Sequence, residues 1–305
     1  MDLKNKKILV TGGAGFLGSK TIIALVKAGA NVVIVDNLSS TNKKNINSAA
    51  RFYNVNIINP DLKEIFKKEK PEIVYHFAFN VSVYKYLDAS GVKEGIKGGM
   101  NVLENCQEYG VKKVIFASSG SVYGNAKNFP TKETEPVNPF PYDVTKIVLE
   151  DKIKLFNKTY GLSYVILRYT TAYGPGQTAG AMSDYIRTLA TSEQVDIFGD
   201  GKNTRDYVYI EDIVRANLLV LELDENFKEP IFNVSSGKET SLNQLYFAIA
   251  KLLNKEAKPS YLKERPDELK RYCLDYSKIK NVLGWEPKYS LEEGLKKRLK
   301  EEGYI

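Results

Sequence analysis

The chain carries one histidine and two cysteines in 305 residues. Cys106 and Cys273 share no motif with each other or with His76, so neither a disulfide framework nor a zinc centre is expected, and no metal site is assigned. Long apolar runs are missing as well. Stretches such as Val32 to Val35 and Lys113-Val-Ile-Phe-Ala117 are strand-sized, well short of the ~20 residues that a membrane helix needs. No membrane partner is therefore expected. Residues Met1-Asp-Leu-Lys-Asn-Lys-Lys7 run into a strand pattern without the apolar core and small-residue cleavage site of a secretory signal, which points to the cytoplasm. Repeats, low-complexity tracts and Pro/Ser-rich linkers are also lacking.

What is present is an ordinary globular composition, 43% hydrophobic, on a chain long enough for a full core and a smaller second lobe. The net charge of +7 raises the question of an anionic partner. Its distribution argues against nucleic acid. Basic and acidic residues alternate along helix-like segments, as in Glu64-Ile-Phe-Lys-Lys-Glu-Lys70 and Leu291-Glu-Glu-Gly-Leu-Lys-Lys-Arg298, a pattern expected of solvated, ion-paired faces.

Lys7 to Val10, Asn31 to Val35, Glu72 to His76 and Val111 to Ala117 read as strands, with amphipathic helical patterns between them. Parallel strands need crossover helices, so this alternation predicts an α/β fold with a doubly wound parallel sheet of Rossmann type. After Tyr164-Val-Ile-Leu-Arg168 the pattern loosens into Gly-, Pro- and Tyr-rich segments, including Tyr173-Gly-Pro-Gly-Gln177 and Phe198-Gly-Asp-Gly201. The division expected is residues 1–170 as a dinucleotide-binding domain, with room for later returns of the chain to it, and 171–305 as a smaller α/β substrate lobe.

Strand Lys7 to Val10 opens into Thr11-Gly-Gly-Ala-Gly-Phe-Leu-Gly18, followed at once by a helical stretch from Ser19 to Ala28. Gly12 permits the tight turn, Gly15 lets backbone N–H groups approach a pyrophosphate, and Gly18 lets the helix pack on the sheet. The helix N-terminus then offers its positive dipole end to the phosphates. Asp36 closes the second strand, where a carboxylate accepts from the adenosine ribose hydroxyls and repels a 2′-phosphate. That pattern selects NAD over NADP.

The Gly-x-x-Gly-x-x-Gly spacing resembles the extended short-chain dehydrogenase/reductase superfamily and, within it, the NAD-dependent epimerase/dehydratase family. Similar to that family in the same order are His76-Phe-Ala-Phe79, Ser118-Ser-Gly-Ser-Val-Tyr-Gly124, Tyr142-Asp-Val-Thr-Lys146, Gly199-Asp-Gly-Lys-Asn-Thr-Arg-Asp206 and Leu283-Gly-Trp-Glu-Pro287. The resemblance implies NAD contacts from Gly12, Gly15, Phe16, Leu17, Gly18, Asp36, Asn37, Asn56, Ile57, Phe77, Ala78, Phe79, Tyr142, Lys146 and Tyr169. Asn56 stands where the family has an aspartate beside the adenine, and its amide oxygen is still an acceptor. His76 reads as a structural strand residue, since no second titratable group shares its motif.

Tyr142 and Lys146 lie four residues apart and share one helix face. The same spacing recurs at Tyr109/Lys113, Tyr123/Lys127 and Tyr276/Lys280, so context has to select. Only Tyr142 follows a Pro139-Phe-Pro141 helix entry soon after a strand and a serine cluster. A phenol of unperturbed pKa ~10 is a poor base at neutral pH, and an ammonium beside it stabilises the phenolate. The family resemblance adds Ser119 as the group that hydrogen-bonds the reacting hydroxyl and helps relay its proton.

By the same resemblance, dehydratases and decarboxylases of the family carry acidic residues just before Val-Tyr-Gly, where this chain has Gly120 and Ser121. Epimerisation at C4 of a UDP-hexose, through a transient 4-keto sugar, is the expected reaction. The alternatives are a 4,6-dehydratase, decarboxylase or reductase, and a catalytically silent NAD-binding regulator. Arg205 and Arg265 match the family's diphosphate contacts, Thr171 stands at a customary substrate-binding asparagine, and Tyr272 falls where bulky residues narrow the sugar pocket. Gly95 replaces another customary asparagine, and Phe79 is larger than the usual alanine. A homodimer through the helix carrying Tyr142 and the one spanning about Gly98 to Tyr109 is typical of the family.

Overall fold

The computed structural model describes residues 2–79, 89–139, 143–191, 194–256, 258–265 and 269–305. The elements follow in the order β1 (Lys7–Thr11), α1 (Phe16–Lys27), β2 (Asn31–Asp36), β3 (Arg51–Asn54), α2 (Leu62–Glu69), β4 (Ile73–His76), α3 (Ala89–Glu108), β5 (Lys113–Ser119), α4 (Val144–Tyr160), β6 (Ser163–Tyr169) and β7 (Thr171–Tyr173). Then come α5 (Ala181–Ala190), β8 (Asp196–Phe198), β9 (Thr204–Arg205), β10 (Tyr207–Tyr209), α6 (Ile210–Leu219), β11 (Ile231–Val234), β12 (Thr240–Ser241), α7 (Leu242–Leu252), β13 (Ser260–Leu262), α8 (Ser277–Leu283) and α9 (Leu291–Glu301). They form two compact units interleaved in sequence. The first comprises Met1–Val122, Pro139–Arg168 and Val214–Phe232, the second Tyr123–Asn138, Tyr169–Ile213 and Asn233–Ile305.

Among the described residues, seven strands make one sheet in the order β11-β6-β5-β4-β1-β2-β3. The pairings from β3 across to β5 are parallel, as the alternating pattern predicts. Leu9, Val33, Val74, Val114 and Phe116 on the strands pack with Val102 and Leu103 of α3 and Leu149 and Ile153 of α4. Each such side chain, taken fully out of water, contributes roughly 1.5–3 kcal/mol.

The alternating charges of Glu64–Lys70 are only partly a solvated face. In α2, Leu62, Ile65, Phe66 and Glu69 fall on one helical stripe and all four are buried. Glu69 is compensated there, accepting from the Tyr53 hydroxyl at 2.6 Å, from Arg51 at 2.6 Å and from Lys7 at 3.3 Å. Arg298 departs from expectation in the same way. It lies on the buried stripe of α9 and donates to the Gln177 carbonyl at 2.7 Å and the Ser183 hydroxyl at 2.9 Å. In both helices the 3.6-residue period, not the sign of the neighbouring charges, decides which side chain goes inside.

The second unit is built on short pairs, β10 with β7, β12 with β9 and β13 with β8. Two carboxylates tie its loops together. Asp206 accepts from the Ser236 hydroxyl at 2.6 Å and from the backbone N–H groups of Ser236, Gly237 and Leu274 at 2.8, 3.2 and 3.3 Å. Asp212 accepts from the N–H groups of Lys288 and Tyr289 at 3.0 and 3.1 Å, while the Trp285 indole donates to its carbonyl at 2.9 Å. The Leu283-Gly-Trp-Glu-Pro287 motif thus anchors the start of α6 from within this unit.

In the first unit, α4 is fixed by a buried ion pair. Glu150 accepts from Arg168 of β6 through Nε at 3.0 Å and Nη2 at 2.6 Å, and from the Ser118 hydroxyl of β5 at 2.5 Å. Breaking such a pair strands the remaining charge, which costs about 3–5 kcal/mol. Glu150→Ala is therefore expected to lower unfolding stability by about that amount. Urea denaturation followed by circular dichroism checks it, and a loss under about 1 kcal/mol would contradict the pairing.

Candidate active site

Ser119 and several of the cofactor positions read from sequence lie at the C-terminal ends of parallel strands in the first unit: the glycine turn after β1, Asp36 at the end of β2, Phe77 to Phe79 after β4 and Ser119 at the end of β5. Gly12 takes a left-handed conformation at φ +67°, and a Cβ there would lie 2.6 Å from the Ala78 nitrogen. A Cβ on Gly18 would lie 2.3 Å from the Gly12 carbonyl oxygen. Gly15 precedes α1 in extended conformation, and no side chain caps that helix. The first-turn N–H groups, those of Phe16 and Leu17 included, thus face no capping carboxylate or hydroxyl, as an anion site requires.

Asp36 is buried and already engaged. Its carboxylate accepts from the N–H groups of Ala14 at 3.0 Å and Leu38 at 2.8 Å and from the Thr41 hydroxyl at 3.4 Å. Two carboxylate oxygens offer about four lone-pair sites. One remains, and the long Thr41 bond is the weakest, so a ribose hydroxyl pair fits without breaking the turn. Asn37 and Asn56 are exposed, each with its amide oxygen closing a local turn to Ser39 and Ile58 at 3.1 Å. Ile57 packs over Gly98 of α3, where a Cβ would sit 2.8 Å from its Cδ1. These features together fit a dinucleotide.

Tyr142 lies outside the described residues. Lys146, in the first turn of α4, is 6% exposed, and its ammonium donates to the Ala117 carbonyl at 2.6 Å. The ring of Phe79 lies 3.1 Å from that nitrogen and the ring of Phe116 5.1 Å, so aromatic faces supply much of its environment. Burial lowers the Lys146 pKa to about 7, against the opposing pull of Asp143 and Glu150. His76 serves this wall as the structural residue expected. Its Nδ1 lies 2.7 Å from the Thr11 hydroxyl, and burial, helped by the Lys146 charge, lowers its pKa to about 3 and keeps it neutral.

Ser119 ends β5, and its hydroxyl lies 2.6 Å from that of Ser121. Ser121 in turn donates to Asp143. Sequence reading took Ser121 only as the place of a missing acid and gave no role to Asp143, Glu150 and Arg168. Glu150 sits four residues beyond Lys146, a spacing that places both on one face of α4. Nothing in the sequence shows that a turn after β5 brings Ser121 onto Asp143.

The remaining predicted positions belong to the second unit. Arg205 donates from Nη1 to the carbonyls of Thr204 and Leu269, both at 2.8 Å. The Arg265 guanidinium stacks on Phe198 at 3.7 Å, a contact that uses its face and not its N–H edge. Thr171 is half-buried in β7, opposite Tyr207 of β10. Tyr272 is buried, and its hydroxyl is spent on the Tyr169 carbonyl at 3.2 Å.

Residues 8–235 match the model of the NAD dependent epimerase/dehydratase family. The chain belongs to that family. It is 34% identical to the UDP-glucose 4-epimerase of Mycolicibacterium smegmatis over 304 residues, covering 95% of this chain and 96% of that protein. It is similar to a crystal structure of a UDP-glucose 4-epimerase with UDP-glucose from the hyperthermophile Thermotoga maritima, at 41% identity and a TM-score of 0.92 over 96% of this chain and 97% of that one. A Thermus thermophilus UDP-glucose 4-epimerase in complex with NAD matches at 31% identity and a TM-score of 0.89, over 96% of this chain and 98% of that one. The family is NAD-dependent, the fold is the expected doubly wound α/β type, and the cofactor expected from Gly12 to Asp36 is the family's own.

The buried ammonium has a consequence for stability. An amine depressed from 10.5 to about 7 stabilises the folded state fully only above 10.5, and that contribution is lost as pH falls through about 7. Lys146→Met removes the penalty. Its stability relative to wild type is expected to be greater at pH 6 than at pH 9, by on the order of 2–3 kcal/mol in urea denaturation of the cofactor-free protein. A difference independent of pH would contradict the burial of the charge.

Proposed function

We propose that this chain is a UDP-glucose 4-epimerase that interconverts UDP-glucose and UDP-galactose through a transient 4-keto sugar. The single observation carrying this reading is the Lys146 ammonium, buried at 2.6 Å from the Ala117 carbonyl, two residues before Ser119, on a residue that follows Tyr142 by four in sequence. A buried positive charge there favours the phenolate of Tyr142, which takes the proton of the sugar 4-hydroxyl and later returns it. Ser119 hydrogen-bonds the reacting oxygen. NAD, when bound, supplies reversible hydride exchange at the sugar C4, so no cofactor is consumed. Gly12, Gly15 and Gly18 with the start of α1 hold its pyrophosphate, Asp36 its adenosine ribose, and Lys146 its nicotinamide ribose.

In this reading residues 1–170 mainly hold the cofactor and 171–305 mainly hold the nucleotide sugar. Arg205, oriented by two carbonyls, and Arg265, whose N–H edge is not used in its stacking, receive the diphosphate. Thr171 and Tyr272 border the sugar. A dehydratase or decarboxylase needs a further acid beside the reacting carbon, and Gly120 and Ser121 supply none. The protein works in the cytoplasm as a homodimer through α3 and α4, a mode supported by the exposed Leu155 and Tyr160 on α4, at 49% and 58%.

Purified protein incubated separately with UDP-glucose and UDP-galactose, without added NAD, is expected to convert each into the other with no net NADH. Tyr142→Phe is expected to lower turnover by at least about 100-fold. Chromatography of the products reads both. A product that has lost water or carbon dioxide would contradict the reaction, and full turnover by Tyr142→Phe would remove the base.

A further inference from the structure

Ser119, Ser121 and Asp143 form a continuous hydrogen-bonded chain that ends on a buried carboxyl. The Ser119 and Ser121 hydroxyls are 2.6 Å apart, the Ser121 N–H donates to the Ser119 oxygen at 3.2 Å, and the Ser121 hydroxyl donates to Asp143. Each serine has one hydroxyl proton to spend. An ionised carboxylate can only accept, so it takes the proton of Ser121. Ser121 then accepts from Ser119, and the Ser119 proton is committed inward. A protonated Asp143 reverses the chain, because it donates to Ser121, Ser121 donates to Ser119, and the Ser119 proton is released.

We propose that Asp143 is a positioning residue which, through Ser121, decides whether Ser119 can donate to the reacting sugar oxygen. This rests on the epimerase reading above, in which Ser119 meets that oxygen. The ketone formed in mid-reaction is an acceptor only, and the sugar hydroxyl has already given its single proton to Tyr142. In either case Ser119 is useful as a donor. The competent form is therefore the one with Asp143 protonated, and its ionisation withdraws the Ser119 proton from the reaction.

The surroundings of Asp143 make this state accessible. It is buried, and that burial raises its pKa to about 6 against the lowering effects of the Ser121 bond and of Lys146. Lys146 lies on the same helix. Beyond it stand neutral His76 of β4 and the Glu150–Arg168 pair joining α4 to β6. The carboxyl does not replace the acid that a dehydratase carries before Val-Tyr-Gly, because the Ser121 hydroxyl stands between it and Ser119.

The test is the pH profile of kcat for UDP-galactose conversion by the NAD-loaded enzyme, for wild type, Asp143→Asn and Ser121→Ala. Wild-type kcat is expected to fall by roughly tenfold per pH unit from about 6, as Asp143 ionises, ahead of the further fall as Lys146 loses its proton at about 7. Asparagine can donate permanently to Ser121, and alanine breaks the chain, so both variants are expected to lose the fall that begins at about 6 and to keep the one that Lys146 imposes at about 7. Ser121→Ala removes a single hydroxyl and decides the matter alone should Asp143→Asn not fold. A folded variant that keeps the fall from about 6, or a wild-type profile without it, overturns the proposal. A merely structural role lowers kcat at every pH and leaves the shape unchanged, which also overturns it. Full turnover by Tyr142→Phe would instead overturn the epimerase reading on which it rests.

Discussion

The site is organised around one buried positive charge. Lys146 is held by a backbone carbonyl and two aromatic faces, and its carboxylate neighbours act from a distance: Asp143 binds Ser121, and Glu150 is committed to Arg168. A carboxylate in direct contact would neutralise the ammonium and spend its field locally. Glu150 and Arg168 clamp α4 to β5 and β6, and so fix the height at which the ammonium emerges. The neutral His76 closes the opposite wall without adding charge. Fold and chemistry meet here, because the packing that holds α4 against the sheet also sets the electrostatics of the residues at its start.

The same helix explains how a chain with one imidazole can perform acid–base chemistry at neutral pH. Histidine is the usual carrier of such protons, but here the only one is buried and unprotonated. In the proposed reaction a phenol and a carboxyl take over the role, and burial raises the carboxyl of Asp143 to about 6. Asp143 and Lys146 lie three residues apart at the start of α4, and the charge of the ammonium acts on that carboxyl.

Much of this was legible before any coordinates. Short β-branched runs between amphipathic helical stretches located every strand of the first five except β3, Arg51–Asn54, whose short, half-exposed Arg-Phe-Tyr-Asn run carries no β-branched signal. The glycine turn announced itself because backbone geometry admits no other residue at Gly12 and Gly18. Less legible were the contacts that depend on where distant segments meet. Glu69 and Arg298 read as surface charges and are buried, since charge alternation says nothing about which helical stripe faces the core. The comparison of Gly120 and Ser121 with acidic loops finds no acid in sequence, yet the turn after β5 brings the Ser121 hydroxyl onto Asp143. Tyr272, expected to border the sugar, has its hydroxyl bound to a backbone carbonyl, a partner that no motif reveals.

The measurement closest to the heart of the matter is the ionisation of Tyr142 itself. Tyrosinate absorbance of the NAD-loaded protein, titrated with pH and differenced against Tyr142→Phe, isolates that one phenol from the remaining tyrosines. It is expected to ionise at least about two units below 10 in the wild type, and to return toward 10 in Lys146→Met. A phenol titrating near 10 with Lys146 in place, or one indifferent to removal of the ammonium, would contradict the role assigned to the buried charge.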